Sequence, residues 1–273
     1  MEIHSLDPAR PARPAQGPLA GVGVIVTRPQ RQAAGLAQKL AAVGATPLIW
    51  PAIVILPPAD DAPLIQAHAT LGNYDVAIFV SANAVEYGVP DPRRWPASLR
   101  VFAPGPGTAE ALAAVGIVGA RFPASTFDTE GLLAIPELQD VAGRRVLIFR
   151  GQGGRELLGD SLMKRGAHVD YVSCYRRTGP QAGARGLVEA LADGRAHALT
   201  LTSAEGADNL LAAIGADGGA LLARIPTFVP HPHIADHVRA AGLRTVVTTP
   251  GGDAGLIAGL LEWFAAHPFS SKG

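Results

Sequence analysis

Two arginines close apolar runs in this chain: Arg28 in VIVTRP (residues 24–29) and Arg150 in VLIFRG (146–151). Each stands just before a helix-forming stretch. A guanidinium there can grip a carboxylate with two parallel N–H donors, and the free N–H groups of a helix start favour the same charge. A second arginine follows in each copy, Arg31 and Arg155. Around Arg150, Gly151 and Gly153 form a glycine-rich turn that resembles a phosphate loop. The dinucleotide pattern fails at its third glycine, where Glu156 would face a pyrophosphate. Asp170, about 20 residues on, lies inside HVDYVSCY and not at a strand end. No Lys-Ser/Thr pair follows the glycines, so the P-loop pattern fails too. The expectation is a carboxylate site, against the alternative that both arginines are merely solvated strand ends.

Hydroxyl residues occupy similar junctions. Ser81 in FVSANAV, Thr108 in GPGTAEAL and Ser203 in LTSAEGA each follow an apolar run and are expected to cap helices. Beside them, Ala82, Asn83, Gly105, Gly107 and Ala204 would present backbone N–H groups to an anionic ligand. Neither serine lies in G-x-S-x-G, so no nucleophile elbow is expected. His231, His233 and His237 raise the question of a metal, but no glutamate follows the first of the i, i+4 pair and no cysteine is near. No metal site is expected. Cys174 is the only cysteine, which excludes an intramolecular disulfide and a thiolate cluster.

The elements that must carry these residues alternate between short apolar runs and helical stretches. Strands are expected at 22–27, 46–58 (broken by Pro51), 74–80, 99–103, 144–149, 196–201, 224–229 and 244–248. That alternation predicts parallel sheets of βα units with ligands at the carboxyl ends of the strands. An internal repeat sharpens the picture. Arg28 and Arg150, Gly44 and Gly166, and Ser81 and Ser203 are each 122 positions apart. TAEALAAVG (108–116) answers IADHVRAAG (234–242), and EGLLA (130–134) answers AGLIA (254–258), at slightly drifted offsets. Two similar α/β domains follow.

Lys+Arg and Asp+Glu both number 23, so any attraction for anions must be local. Aromatics make up only 5%, against a nucleic-acid stacking platform. The start of the chain is rich in Pro, Ala and Arg without an apolar core and reads as a disordered leader over 1–17. No apolar run reaches the length of a membrane span. The chain is expected to be cytoplasmic, with no nucleic-acid or membrane partner.

In order, VTRP, FVSANAV, GPGTAEAL, FRGQGGREL, YVSCYRR and LTSAEGADNL resemble the uroporphyrinogen-III synthase family over residues 20 to 265. The resemblance implies two flavodoxin-like α/β parallel-sheet domains with swapped first βα units, joined by a two-stranded linker. One domain would comprise 18–50 and 178–265, the other 58–170, with linker strands at 51–57 and 171–177. It implies a monomer that cyclises hydroxymethylbilane to uroporphyrinogen III with inversion of the last ring and loss of water, without cofactor or metal. By motif position, Arg28, Ser81, Ala82, Asn83, Gly105, Gly107, Thr108, Arg150, Gly151, Gly153, Arg155, Ser203, Ala204 and His233 would bind substrate. The acid would be Tyr175, nine residues after the helix-ending Gly166; an unperturbed tyrosine keeps its proton at neutral pH. Tyr171 is the alternative, expected on the same strand face by period two. His233 stands where the family often has a hydroxyl, and Pro104 where a valine is common. A non-catalytic binding or regulatory module of the same fold, and a nucleotide-dependent oxidoreductase, are the competing readings.

Overall fold

The computed structural model describes residues 17–89, 91–180 and 183–268; apart from Gly17, the expected leader lies outside them. The chain opens with β1 (Gly23–Val26), α1 (Gln30–Ala42) and β2 (Thr46–Ile49). It continues through β3 (Val54–Leu56), α2 (Ala62–Ala69), β4 (Val76–Phe79), α3 (Ala82–Gly88), β5 (Arg100–Phe102) and α4 (Pro106–Ala114). Next come α5 (Thr129–Leu133), α6 (Pro136–Gln139), β6 (Arg145–Gly151), α7 (Leu157–Lys164) and β7 (His168–Thr178). It closes with α8 (Arg185–Ala192), β8 (Ala198–Thr200), α9 (Ala204–Leu222), β9 (Thr227–Val229), α10 (Pro232–Ala240), β10 (Val246–Thr248) and α11 (Gly252–Ala266). Two compact units result, one of residues 1–54 and 178–273, the other of residues 55–177.

Among the described residues the first unit holds a five-stranded sheet in the order β10-β9-β8-β1-β2. All its pairings are parallel. Read from the other edge this is the doubly wound 2-1-3-4-5 order. The strand β1 alternates its side chains between two cores. Ile25 packs with Leu187, Leu210 and Val238 from α8, α9 and α10, whereas Val24 and Val26 pack with Leu36, Leu40, Leu256 and Leu260 from α1 and α11. A strand buried on both faces reads as an unbroken apolar run, which is why GVIV carries no polar residue.

The second unit arranges its sheet as β3-β7-β6-β4-β5, and residue Arg121 bridges in parallel to Phe102 beyond the β5 edge. With β6 taken as the first strand and β7 as the second, the same order appears, with β4, β5 and the bridge following. The repeat therefore pairs topologically equivalent elements: β1 with β6, α1 with α7, β8 with β4, α9 with α3, α10 with α4 and α11 with α5. In the first unit the leading βα unit comes first in the chain; in the second it comes last. Leu147 and Phe149 of β6 face one core with Ala77 and Phe79 of β4, and Val146 and Ile148 face the other. Phe79 and Phe149 stack with centroids 4.4 Å apart, a contact beyond simple burial.

Strand β7 departs from simple alternation. Ser173 pairs with Arg150, but Tyr175, not Cys174, pairs with Gly151, so β7 has one extra residue there. This overturns the expectation that Tyr171 and Tyr175 share a face. Tyr175 packs in the cluster of Val172 and Cys174, whereas Tyr171 lies against the cluster of Val146 and Ile148. Within the bulge the Cys174 thiol donates to the Arg150 carbonyl at 3.2 Å, and burial pushes its pKa up to about 12.

The thiol is therefore inert in the folded protein. Iodoacetamide at pH 8 is expected to leave Cys174 unmodified in the native protein and to alkylate it in urea, read by mass spectrometry. Because the folded pKa is raised, the thiol's contribution to stability is complete below the unfolded value of about 8.5. It is lost as pH rises through that value towards about 12.

Candidate functional site

In each unit the singled-out residues gather at the carboxyl edge of the sheet. In the second unit β4 runs into Ser81, which caps α3 by accepting from the Ala84 N–H at 3.2 Å and leads into Ala82 and Asn83 on the first turn. The equivalent Ser203 caps α9 through the Gly206 N–H at 3.0 Å, followed by Ala204. Thr108 does not behave this way. Pro106 starts α4 earlier, Gly105 is its N-cap, and Thr108 sits inside the helix with Gly107, buried at 8% exposure. A proline fits the first helical position because its missing N–H is one of the unsatisfied donors. Similarly, His231 is the N-cap of α10 and His233 lies exposed in its first turn. His237 pairs with Asp208 at 2.7 Å. Among the described residues no three His, Cys, Asp or Glu side chains are placed to hold a metal ion.

Both repeated arginines are occupied. Arg150, whose side chain is 11% exposed, donates from Nε to the Gly153 carbonyl at 3.0 Å. Its Nη2 donates to the Gly154 carbonyl at 3.2 Å, and both Nη atoms reach Glu156 Oε1 at 3.1 Å. Its guanidinium also lies over the Tyr171 ring, 4.7 Å from the centroid. Gly153 and Gly154 hold left-handed backbones, with φ of 75° and 111°, and this curls their carbonyls back onto the arginine. Glu156, which spoils the nucleotide pattern, is thus the counter-ion of the loop. Arg28 pairs with Asp253 on the first turn of α11, and Lys39 reaches the other oxygen of that carboxylate at 2.9 Å. Burial alone would raise the Asp253 pKa, but the hydrogen bonds from Lys39 and Arg28 outweigh it and hold the carboxyl below the usual range. Sequence reasoning missed Asp253; its signal was the glycine-rich helix start PGGDAG.

The same loop walls a cavity of about 230 Å³ in the second unit, lined by Thr129, Gly151 to Arg155, Tyr171, Tyr175 and Arg177. Tyr175 is 2% exposed, and its hydroxyl lies 3.3 Å from Ser81 Oγ, so the bulge brings the candidate acid against a cap of α3. The N–H groups of Gly153, Gly154 and Arg155 have no hydrogen-bond partner among the described residues. Arg155 is exposed and has no ion pair there either. Its side chain and the loop amides are therefore the groups open to an anion, while Arg150 braces the loop behind them. The repeat accounts for the difference between the units. Asp253, which neutralises Arg28, is matched by Thr129 at the start of α5, leaving a neutral hydroxyl on the cavity wall. Arg28, Ser203, Ala204 and His233 belong to the first unit; Ser81, Gly105, Thr108, Arg150, Gly151, Arg155 and Tyr175 belong to the second.

A family model described as uroporphyrinogen-III synthase HemD matches residues 34–255. The chain is 38% identical over 160 residues to the uroporphyrinogen-III synthase of Salmonella typhimurium, covering 57% of this chain and 65% of that protein. It is 37% identical to that of Escherichia coli with the same coverage, so the match spans just under two thirds of both relatives. A solved mutant uroporphyrinogen III synthase of Thermus thermophilus matches with a TM-score of 0.55. That match is 21% identical and covers 90% of this chain and 99% of the other, which shows a shared fold. The chain belongs to the uroporphyrinogen-III synthase family.

Proposed function

We propose that this protein cyclises hydroxymethylbilane to uroporphyrinogen III, inverting the last pyrrole ring and releasing water. The observation that carries the reading, beyond family membership, is the cavity in which the Tyr175 ring meets the open amides and arginine of the Gly151–Arg155 loop. In the reaction the terminal C–O bond breaks and its electron pair leaves with oxygen. Tyr175 supplies the proton that makes the leaving group water, a general-acid step. The azafulvenium cation left behind is attacked by the substituted carbon of the same substrate's last ring to give a spiro intermediate. Fragmentation and reclosure then invert that ring, and the proton released on rearomatisation restores the tyrosine.

Selectivity is a matter of position. Direct closure by the unsubstituted carbon gives the type I isomer, so the site must hold the substrate carboxylates while the cation is shielded from water. Arg155 and the loop amides supply that grip in the second unit, with Ser81 fixing the Tyr175 hydroxyl. Arg28, Ser203, Ala204 and His233 make up the corresponding edge of the first unit. The protein acts as a cytoplasmic monomer on a diffusing small molecule.

Incubation with freshly prepared hydroxymethylbilane, followed by oxidation and chromatography, tests the reading. Type III isomer is expected to dominate. A product that is mostly type I, as in a control without enzyme, overturns it.

A further inference from the structure

Exposed aromatic rings are rare among the described residues. Among the described residues, Phe122 and Phe127 are the only aromatic side chains among the exposed large hydrophobic residues, and Phe127 is the more open at 54%. Its position is specific. A Cβ on Gly105, the N-cap of α4, would lie 3.0 Å from the Phe127 Cβ and 3.2 Å from its Cγ, so the side chain leans on the β5-to-α4 turn. One residue further, Asp128 caps α5 by accepting from the Gly131 N–H at 2.8 Å, which pins the chain at that point. The next residue, Thr129, lines the cavity that holds Tyr175. Phe127 therefore stands beside the glycine turn before α4 and two residues from Thr129 of the cavity wall, though its own side chain is not part of that wall.

The repeat adds an independent observation. At the offset that matches EGLLA with AGLIA, Phe127 corresponds to Gly251, the N-cap of α11 in the first unit. The bulky ring occurs only in the copy that carries the cavity and the tyrosine. Burial cannot account for it, because the residue is 54% exposed. The nearby cavity is walled by amides, hydroxyls and arginines, which hold carboxylates, and by two tyrosine rings, of which Tyr175 is 2% exposed and Tyr171 has the Arg150 guanidinium over its face.

We infer that Phe127 is a substrate-contacting specificity residue, whose ring covers the face of the azafulvenium cation and keeps water and the wrong nucleophilic carbon from it. This rests on the proposed synthase reaction. A cation over an aromatic face is attracted by the ring quadrupole, more strongly where water is excluded. The ring acts after the leaving group has gone, so its removal affects the fate of the cation more than substrate capture.

Phe127→Leu keeps apolar bulk on the Gly105 turn but loses the aromatic face, and Phe127→Tyr keeps both. Assayed with hydroxymethylbilane, Phe127→Leu is expected to lower kcat about tenfold with KM little changed, and to raise the share of type I isomer. Phe127→Tyr should retain the wild-type isomer ratio. Melting curves of both variants establish that the fold is intact, and if the leucine variant melts early Phe127→Met, which also lacks an aromatic face, replaces it with the same outcomes expected and the same result overturning the inference. A type III fraction and kcat in Phe127→Leu equal to wild type overturn the inference while leaving the synthase reading standing. If the wild-type protein itself yields mainly type I isomer, the synthase reading fails and the inference with it.

Discussion

Gly151→Ala is expected to reduce formation of uroporphyrinogen III about a hundredfold while leaving a folded protein. A Cβ at this position would lie 2.7 Å from both Cε2 and Cζ of Tyr175 and 3.0 Å from its hydroxyl. The ring has little freedom to retreat. It is 2% exposed, packs near Tyr87 with centroids 6.3 Å apart, and is fixed at its tip by Ser81. Overpacking of this kind costs about 1–3 kcal/mol, and displacing a catalytic group by about 1 Å can cost two orders of magnitude in rate. Thermal unfolding followed by circular dichroism measures the first effect, and the rate of type III formation the second. Tyr175→Phe should slow turnover with product binding intact. In that background Gly151→Ala should add little to the loss of rate, since the hydroxyl it displaces is already gone. A full additional hundredfold loss would show that Gly151 acts on something other than the tyrosine hydroxyl.

The second large effect is expected at Arg150. Replacing it by methionine removes hydrogen bonds to the Gly153 and Gly154 carbonyls and to Glu156, together with its position over the Tyr171 ring. Hydrogen bonds involving a buried charge contribute about 1.5–3 kcal/mol each, and losing one partner leaves carbonyls that the left-handed glycines hold inward. A loss of about 2–4 kcal/mol is expected for Arg150→Met, with early tryptic cleavage after Arg155 as the loop opens. Glu156→Gln should cost no more than about 1 kcal/mol, because the Glu156 side chain is 59% exposed and water screens the pair. Equal losses in the two variants would mean that the ion pair, and not the carbonyl bonds, holds the loop.

These two sites mark where sequence reasoning reached its limit. The alternation of apolar runs and helices, and the repeat that ties Arg28 to Arg150, were enough to read two parallel α/β sheets. Buried parallel strands must be continuously apolar, and both copies retain that pattern. The bulge at Cys174 was not legible, because YVSCY is as good an unbulged strand as a bulged one until Gly151 and the Arg150 carbonyl are placed beside it. Nor was the neutralisation of Arg150 and Arg28. Glu156 lies six residues from its partner across a turn and Asp253 lies 225 residues away, so neither pairing has a local signature. Thr108 was misread as a cap because hydroxyl residues commonly begin helices, while Pro106 had already begun this one. The sequence already offered Arg155 and the loop glycines as binding residues, but that they stay open while Arg150 is spent on the loop itself emerged only once the bonds of their neighbours were known.

The placement of the leading βα unit at the end of the second unit has a consequence for synthesis. Residues 55–177 form one uninterrupted stretch, so every strand of that sheet has been synthesised once β7 is made. By contrast, β1 must wait for β8, whose residue Ala198 pairs with Val24 across most of the chain. Closing so long a loop slows folding and leaves the apolar faces of β1 and α1 uncovered meanwhile. The half of the protein that begins first is the half that is finished last, and it is the one that must be kept from aggregating while the other assembles.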